Sequence, residues 1–515
     1  MNGAEALIAT LKNCGVDICF ANPGTSEMQL VAAIDGQEGM RSVLGLFEGV
    51  VTGAADGYGR MADKPAATLL HLGPGMANGN AYIHNARRAF SPMINLVGDH
   101  ATYHLHFNAP LTSDVAGVAR PMSDWVRTAR SPRDLALAGA EAHAASLVWP
   151  GQIATVIVPA DHAWSDGAAV AEPQIAQPAP QVPASVIAEA ADALRNSDGP
   201  SALFLGGRAV REEALYHAGQ IAAATGAKLI SETFSARLQR GAGRVSAERL
   251  PYPGESAAEV LKDYKTIVFC GCEPPVSFFA YPGKPSWLSP EGAKLVRLSS
   301  AREDAPAALA AMVEALGAGG EVPALQPAFT PDCAEGKLDP MKLGAIIAEL
   351  MPENAIVSDE AATAGFAVFP MTAGAPKHDW LMVTGGAIGQ GMPVAVGAAV
   401  ACPDRKVLAL QADGGGMYTN QALWTMAREN LDITTVVFNN GSYAILNIEL
   451  ARVGVANPGP KALSMLSLRN PDIHWAQMAE SMGVPARRAT TAAEFREALE
   501  WALSHKGPRL VEAVI

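Results

Sequence analysis

The chain comprises 515 residues, 49% hydrophobic and 17% charged; at roughly 150 residues per domain this suggests about three domains and excludes a disordered chain. With 38 Lys+Arg against 51 Asp+Glu the formal net charge is -13, which disfavours nucleic acid and anionic membranes as partners, since both attract basic patches. No apolar run approaches the roughly 20 residues of a membrane span, and six cysteines without zinc-type spacing read as reduced thiols of a cytoplasmic protein.

The amino-terminal stretch MNGAEALIATLKNCGV lacks a basic n-region and reads as an amphipathic helix running into the strand DICFA, not as a secretory leader. AATLLHL, MINLVGD and ATVIVPA follow as strands. Residues 168–185, rich in Ala, Pro and Gln, read as an extended linker. Beyond it ALFLGG, AKLISE, TIVFCG and KLVRLS are strands, and residues 317–340 form a second linker. AIVSDE, KVLALQAD, ITTVVFNN and RLVEAVI complete the series. Cutting at the linkers predicts domains at 1–167, 185–316 and 340–515. Continuous apolar strands ending in Gly, Asp or Asn, with helices between them, predict three doubly wound α/β domains with parallel sheets. In such sheets ligands sit beyond the carboxyl ends of the strands.

In the third block the strand KVLALQ runs into Ala412-Asp413-Gly414-Gly415-Gly416, and ITTVVF ends in Asn439-Asn440-Gly441-Ser442-Tyr443. Asp413 and Asn440 at the ends of adjacent strands, with the carbonyl of Ser442, offer hard oxygen ligands suited to Mg²⁺. Gly414, Gly415 and Gly416 let main-chain N–H groups approach phosphate oxygens, and a helix expected near Thr419 aims its positive end there. Taken singly, Asp413 and Asn440 read equally well as caps of a helix and a turn.

Together these segments resemble the thiamin-diphosphate motif, a GDG followed by NN at nearly this spacing, with Ala412 in place of the first glycine. The resemblance extends over nearly the whole chain. It points to the thiamin-diphosphate-dependent 2-oxo acid decarboxylases, with benzoylformate decarboxylase the nearest type and acetolactate synthase next. It implies thiamin diphosphate and Mg²⁺ as cofactors, with non-oxidative decarboxylation of a small 2-oxo acid, or carboligation, through an enamine. Glu48, before the run Ala55-Asp56-Gly57-Tyr58, resembles the carboxylate that activates the coenzyme; read alone it is a dipole-favoured residue at a helix start. The same resemblance makes Ile388 the bulky side chain beneath the bent coenzyme and the Gly386 carbonyl its amino-group acceptor, and places Thr363 and Tyr443 among the cofactor contacts. It further implies that Glu48 of one subunit faces Asp413 of its neighbour, hence a homodimer with shared sites and a homotetramer beyond it.

On the substrate side, His71 matches a proton-relay histidine of the family, and Thr25 stands where a serine contacts the substrate carboxylate. A buried strand-end histidine and a turn residue are the plainer readings. Phe278 falls where a second histidine is expected, and Glu449 where an aromatic residue is. These departures predict a smaller or more polar substrate than an aryl 2-oxo acid. His100, His104 and His106 could supply the missing relay, or could be solvated loop residues. Pro110-Leu111-Thr112 replaces a synthase segment, although Asp114 and Gly117 to Pro121 still resemble the synthase. Gly206-Gly207-Arg208 alone is a weak nucleotide signal, and no flavin is expected. An acetolactate-synthase-like transferase condensing two 2-oxo acids is the alternative function.

Overall fold

A computed structural model describes all of residues 1–515. Three sheets with helices on both faces make an α/β architecture, as the strand pattern predicts. The first contains β1 (Ile18–Asn22), β2 (Arg41–Leu44), β3 (Ala66–Leu70), β4 (Met93–Asp99), β5 (Trp125–Thr128) and β6 (Ile153–Pro159) in the order β2-β1-β3-β4-β6-β5, all parallel. The second contains β7 (Ser201–Leu205), β8 (Lys228–Ser231), β10 (Glu248–Arg249), β11 (Thr266–Cys270) and β12 (Lys294–Ser299), ordered β10-β8-β7-β11-β12. The third is β17 (Ala486–Ala489), β18 (Arg509–Val514), β16 (Ile433–Asn439), β15 (Val407–Ala412), β13 (Ile356–Glu360), β14 (His378–Met382) and β9 (Leu238–Arg240). β9 leaves the middle block and pairs antiparallel with β14, His378 opposite Arg240.

Every strand expected from an apolar run forms. The strands not expected are β2, β5, β9, β10, β14 and β17. Five of these are sheet edges carrying Arg, Glu or Gln, where charge blunts further pairing and no apolar run is needed. β14 is interior, and its sequence HDWLM is wholly buried. Its Asp379 is neutralised by Arg237 at 2.6 Å and Arg405 at 2.5 Å, so a charged pair disguises a core strand.

The first and third domains are joined by two helices, 48–62 and 391–401, whose backbones nearly touch. A Cβ on Gly57 would stand 2.1 Å from the Val394 carbonyl oxygen, and one on Gly397 1.8 Å from that of Ala54. Only glycine fits at such a crossing. Beside it Arg60 and Asp56 form a fully buried ion pair at 2.6 Å, and Arg60 also donates to the Met382 carbonyl at 2.7 Å. Cys270 and Cys272 are buried, as their strand context predicts, and desolvation pushes the Cys270 thiol up to about 12. No helix is long and apolar enough to cross a membrane.

Candidate active site

β15 and β16 are parallel neighbours, with Ala412 opposite Phe438. The chain therefore delivers Asp413 and Asn440 side by side just past the strand ends. Asp413 is 2% exposed and opens a single helical turn, 413–416. One of its carboxylate oxygens accepts the N–H of Gly414 at 2.8 Å and the other that of Gly441 at 2.7 Å. It has no lysine or arginine partner, and burial raises its pKa against the pull of those amides. A buried carboxylate held only by amides is a strong attractor for a cation. Asn440 Oδ1 accepts the Ser442 N–H at 2.8 Å, which ties Ser442 into the same turn. Tyr443 lies against Gly414, where a Cβ would meet its ring at 2.4 Å. The helix expected near Thr419 begins instead at Ala422. The amides of the Asp413–Gly416 turn take its place, and Thr419 is buried with its hydroxyl donating to the Gly389 carbonyl at 2.6 Å.

The loop 385–391 runs beside this turn. Gly386 has φ +77, open only to glycine at low cost, and Ile388 is 41% exposed, its side chain projecting from the loop. The loop hangs from Glu360, at the end of β13. The Glu360 carboxylate accepts the N–H of Gly391 at 2.5 Å and also that of Gly389, fixing Ile388 from its far side. Burial pushes Glu360 up to about 7. Thr363 is half-buried in the first turn of the helix 362–371, directly after Glu360, and that helix starts from Ala362 at φ +50. A non-glycine residue held there stores strain, a feature that clusters at functional sites. The first domain touches the same loop: Tyr82 donates to the Ile388 carbonyl at 3.2 Å and Asn85 to that of Ala387 at 2.7 Å.

Glu48 begins the helix 48–62 and is 8% exposed. Its Oε2 accepts from Asn78 at 3.0 Å, leaving Oε1 without a protein donor. His71 ends the first domain's third strand region and Leu72 follows it at φ +49. The ring Nδ1 of His71 meets the fully buried Glu27 at 2.8 Å, and Ser26 Oγ lies 3.3 Å from that nitrogen. Glu27 also receives the Gly24 N–H at 2.8 Å and the Ser26 hydroxyl at 2.6 Å. A carboxylate on Nδ1 selects the tautomer with its proton there and turns Nε2 outward as an acceptor. Thr25 is exposed, opens the turn 25–27 and makes no side-chain hydrogen bond.

Two sets thus form within one chain. Glu48, His71 and Thr25 lie on the first domain; Asp413, Asn440, Ser442, Tyr443 and the Gly386–Ile388 loop lie on the third. No hydrogen bond links Glu48 to Asp413. Phe278 reaches the loop, for a Cβ on Gly386 would stand 2.6 Å from its ring. Glu449, which stands where the resemblance expects an aromatic residue, is not a free carboxylate. It is taken up by the Tyr281 hydroxyl and by Arg452 at 3.0 Å, and a second carboxylate, Glu255, holds Arg452 at 2.7 Å. The His100 and His104 rings sit tilted against each other, centroids 5.5 Å apart, with no hydrogen bond to His71. Asp114 caps the short helix 115–119 by accepting the Gly117 N–H at 2.8 Å.

Sequence reasoning overlooked Glu27, Asn78 and Glu360. Glu360 had a signal, since it ends the strand AIVSDE at the carboxyl edge of a parallel sheet. Glu27 and Asn78 had none, because each acts through a neighbour brought close only by the fold.

Residues 364–513 match the family described as thiamine pyrophosphate enzyme, C-terminal TPP binding domain, and residues 1–118 match its N-terminal TPP binding domain. A Mycobacterium tuberculosis protein provisionally named acetolactate synthase large subunit IlvX is 51% identical, over 100% of this chain and 99% of its own. Benzoylformate decarboxylase of Pseudomonas aeruginosa is 27% identical over 98% of this chain and 96% of its own. Among solved structures, a thiamine diphosphate-dependent 4-hydroxybenzoylformate decarboxylase of Rhodococcus jostii RHA1 superposes with a TM-score of 0.88 at 22% identity, covering 100% of this chain and 99% of that one.

Proposed function

Since the chain belongs to the thiamine pyrophosphate enzymes, we propose that it is a Mg²⁺-dependent carboxy-lyase or carboligase acting on a small 2-oxo acid. Residues 1–167 form the pyrimidine-binding domain, 185–316 a central domain and 340–515 the diphosphate-binding domain. Asp413, Asn440 and the Ser442 carbonyl hold the ion, and the amides of Gly414, Gly415 and Gly416 meet the diphosphate with Thr363 and Tyr443 alongside. Thiamin diphosphate, once bound, supplies the electron sink that lets a 2-oxo acid release CO₂. Glu48, with its open Oε1, would hold the aminopyrimidine ring, and the Gly386 carbonyl would accept its amino hydrogen. Ile388, held in place through Glu360, would support the coenzyme beside them. His71 Nε2, oriented by Glu27, exchanges a proton with the reacting carbon's substituents, while Thr25 donates to the substrate carboxylate.

The observation that carries this reading is the buried, cationless Asp413 beside Asn440. Glu48 and Asp413 sit on separate domains with no bond between them, so a homodimer that shares its sites, assembled further into a homotetramer, completes the arrangement. Six free cysteines accord with a cytoplasmic setting. Phe278 walls the Gly386 side with hydrocarbon and Glu449 is neutralised, which favours a small aliphatic 2-oxo acid over one bearing a cation. The test is incubation with thiamin diphosphate, Mg²⁺ and a panel of 2-oxo acids, with CO₂ and products followed by mass. Failure of every acid to release CO₂ in the presence of bound coenzyme refutes the assignment. A clear preference for benzoylformate refutes the size argument alone. Likeness to the synthase-named relative supports a second reading, condensation of two 2-oxo acids, which acetolactate formed from pyruvate would reveal.

A further inference from the structure

Between β9, the segment 245–253 and the helix 362–371 lies a cleft of about 560 Å³. That size falls within the roughly 300–1,000 Å³ of small-molecule sites. None of its lining residues belongs to the coenzyme site. Leu250, Tyr252, Phe366 and Phe369 supply apolar walls, with the Tyr252 and Phe366 rings stacked at 6.2 Å. Arg240 and Arg249 line the same space, their guanidinium groups 3.8 and 4.7 Å from the Phe369 ring.

These two arginines share a single nearby carboxylate, Asp359, and neither forms a salt bridge with it. Arg240 is 8% exposed and donates to the Phe369 carbonyl at 2.7 Å and to Thr372 at 3.0 Å, both neutral groups. Arg249 donates through Nε to the Thr233 carbonyl at 2.8 Å, and its two terminal nitrogens make no protein hydrogen bond. The carboxylate between them, Asp359, spends one oxygen on the Ala361 N–H and the other on the Trp380 indole, each at 3.1 Å. Glu248 lines the rim, but pairs with Lys228 at 3.3 Å. His378, 5.8 Å from Trp380, adds no negative charge. Burial lowers the pKa of both arginines, Arg240 to about 9 with Arg249 adding to the effect, and Asp359 opposes it. Two buried cations facing one carboxylate leave a net positive charge that is costly, and an incoming anion relieves it.

We propose that this cleft binds a small organic carboxylate with an apolar body, its carboxylate on Arg249 and Arg240 and its body against Phe366, Phe369 and Tyr252. A planar guanidinium with free terminal nitrogens matches a carboxylate in geometry as well as charge. Two short chains of contact join the cleft to the coenzyme loop. Tyr252 contacts Phe278, centroids 5.6 Å apart, and Phe278 closes on Gly386; Phe366 rides the helix that carries Thr363.

The proposal is tested by calorimetric titration of the full-length chain without coenzyme or metal, so that its outcome is independent of the catalytic assignment. Phenylacetate should bind saturably, and phenylacetamide, the same body without the charge, at least about tenfold more weakly. Arg249→Met should weaken phenylacetate by at least about tenfold and leave phenylacetamide unchanged. Phe366→Ala, at a 44% exposed position that folding does not depend on, should weaken both probes. Should Arg249→Met fail to fold by circular dichroism, the acid-to-amide ratio and Phe366→Ala decide the matter. Absence of saturable phenylacetate binding, equal affinity for acid and amide, or undiminished binding by a folded Arg249→Met overturns it.

Discussion

At the scale of single residues, Glu48 and Glu27 are two buried carboxylates that differ in what they leave free. Glu48 keeps one oxygen open, whereas both oxygens of Glu27 are committed to Gly24, Ser26 and His71. Glu48→Gln is expected to lower CO₂ release by about a hundredfold or more, because an amide is a poor proton acceptor, with coenzyme affinity little changed in fluorescence titration. Glu27→Gln should lower kcat by about tenfold by loosening the His71 tautomer, again without moving coenzyme affinity. Asp413→Ala is expected to abolish Mg²⁺-dependent coenzyme binding while the far-ultraviolet circular dichroism stays native. Two further carboxylates bear on stability. Burial pushes both Glu232 and Glu360 up to about 7. On unfolding they return to the ordinary carboxylate range, so between there and about 7 the unfolded chain binds fewer protons than the native one. Their contribution to stability is therefore complete at low pH and fades as pH rises through about 7. Glu232→Gln retains the acceptor for the Gly207 N–H, which now reaches Glu232 at 2.9 Å, and should flatten part of that decline in denaturant titrations from pH 5 to 8.

At the scale of elements, the crossing of helices 48–62 and 391–401 is the least forgiving contact. Gly397→Ala places a methyl 1.8 Å from the Ala54 carbonyl oxygen, so the helices must part. A loss of about 1–3 kcal/mol or more is expected, measured as a lowered denaturant midpoint. The same scale shows what the sequence could and could not convey. Apolar runs identified every interior parallel strand except β14, whose Asp379 is made tolerable by Arg237 and Arg405 and whose His378 is tied to the Pro376 carbonyl. Edge strands such as ARRA carried no pattern to read. The Asp413 and Asn440 pair was legible because register between parallel neighbours follows from sequence order, with each motif at a strand end. The Glu27–His71 and Glu360–Gly389 pairings were not, since each joins residues remote in sequence by a geometry that no local pattern encodes. The partners of Glu449 were hidden for the same reason: its identity is visible in the sequence, but Tyr281 and Arg452 are brought to it by packing.

At the scale of the whole molecule, the buried Asp56–Arg60 pair binds the first domain to the third through the Met382 carbonyl. Arg60→Met leaves Asp56 buried without a counter-cation, with only the Ser91 hydroxyl as donor, and a loss of about 3–5 kcal/mol is expected in thermal or denaturant unfolding. Activity should also track assembly. Under the proposed shared-site dimer, dilution that sedimentation velocity shows to yield monomer should reduce turnover in step with the loss of dimer.

The strand β9 deserves a last deduction. It is lent by the middle block to the rim of the third sheet, where His378, Asp379 and Trp380 would otherwise present bare amides and carbonyls. A fragment starting at residue 340 therefore leaves an open ribbon ready to recruit another copy of itself, and such a truncation should precipitate or form fibrils where the intact polypeptide stays dispersed.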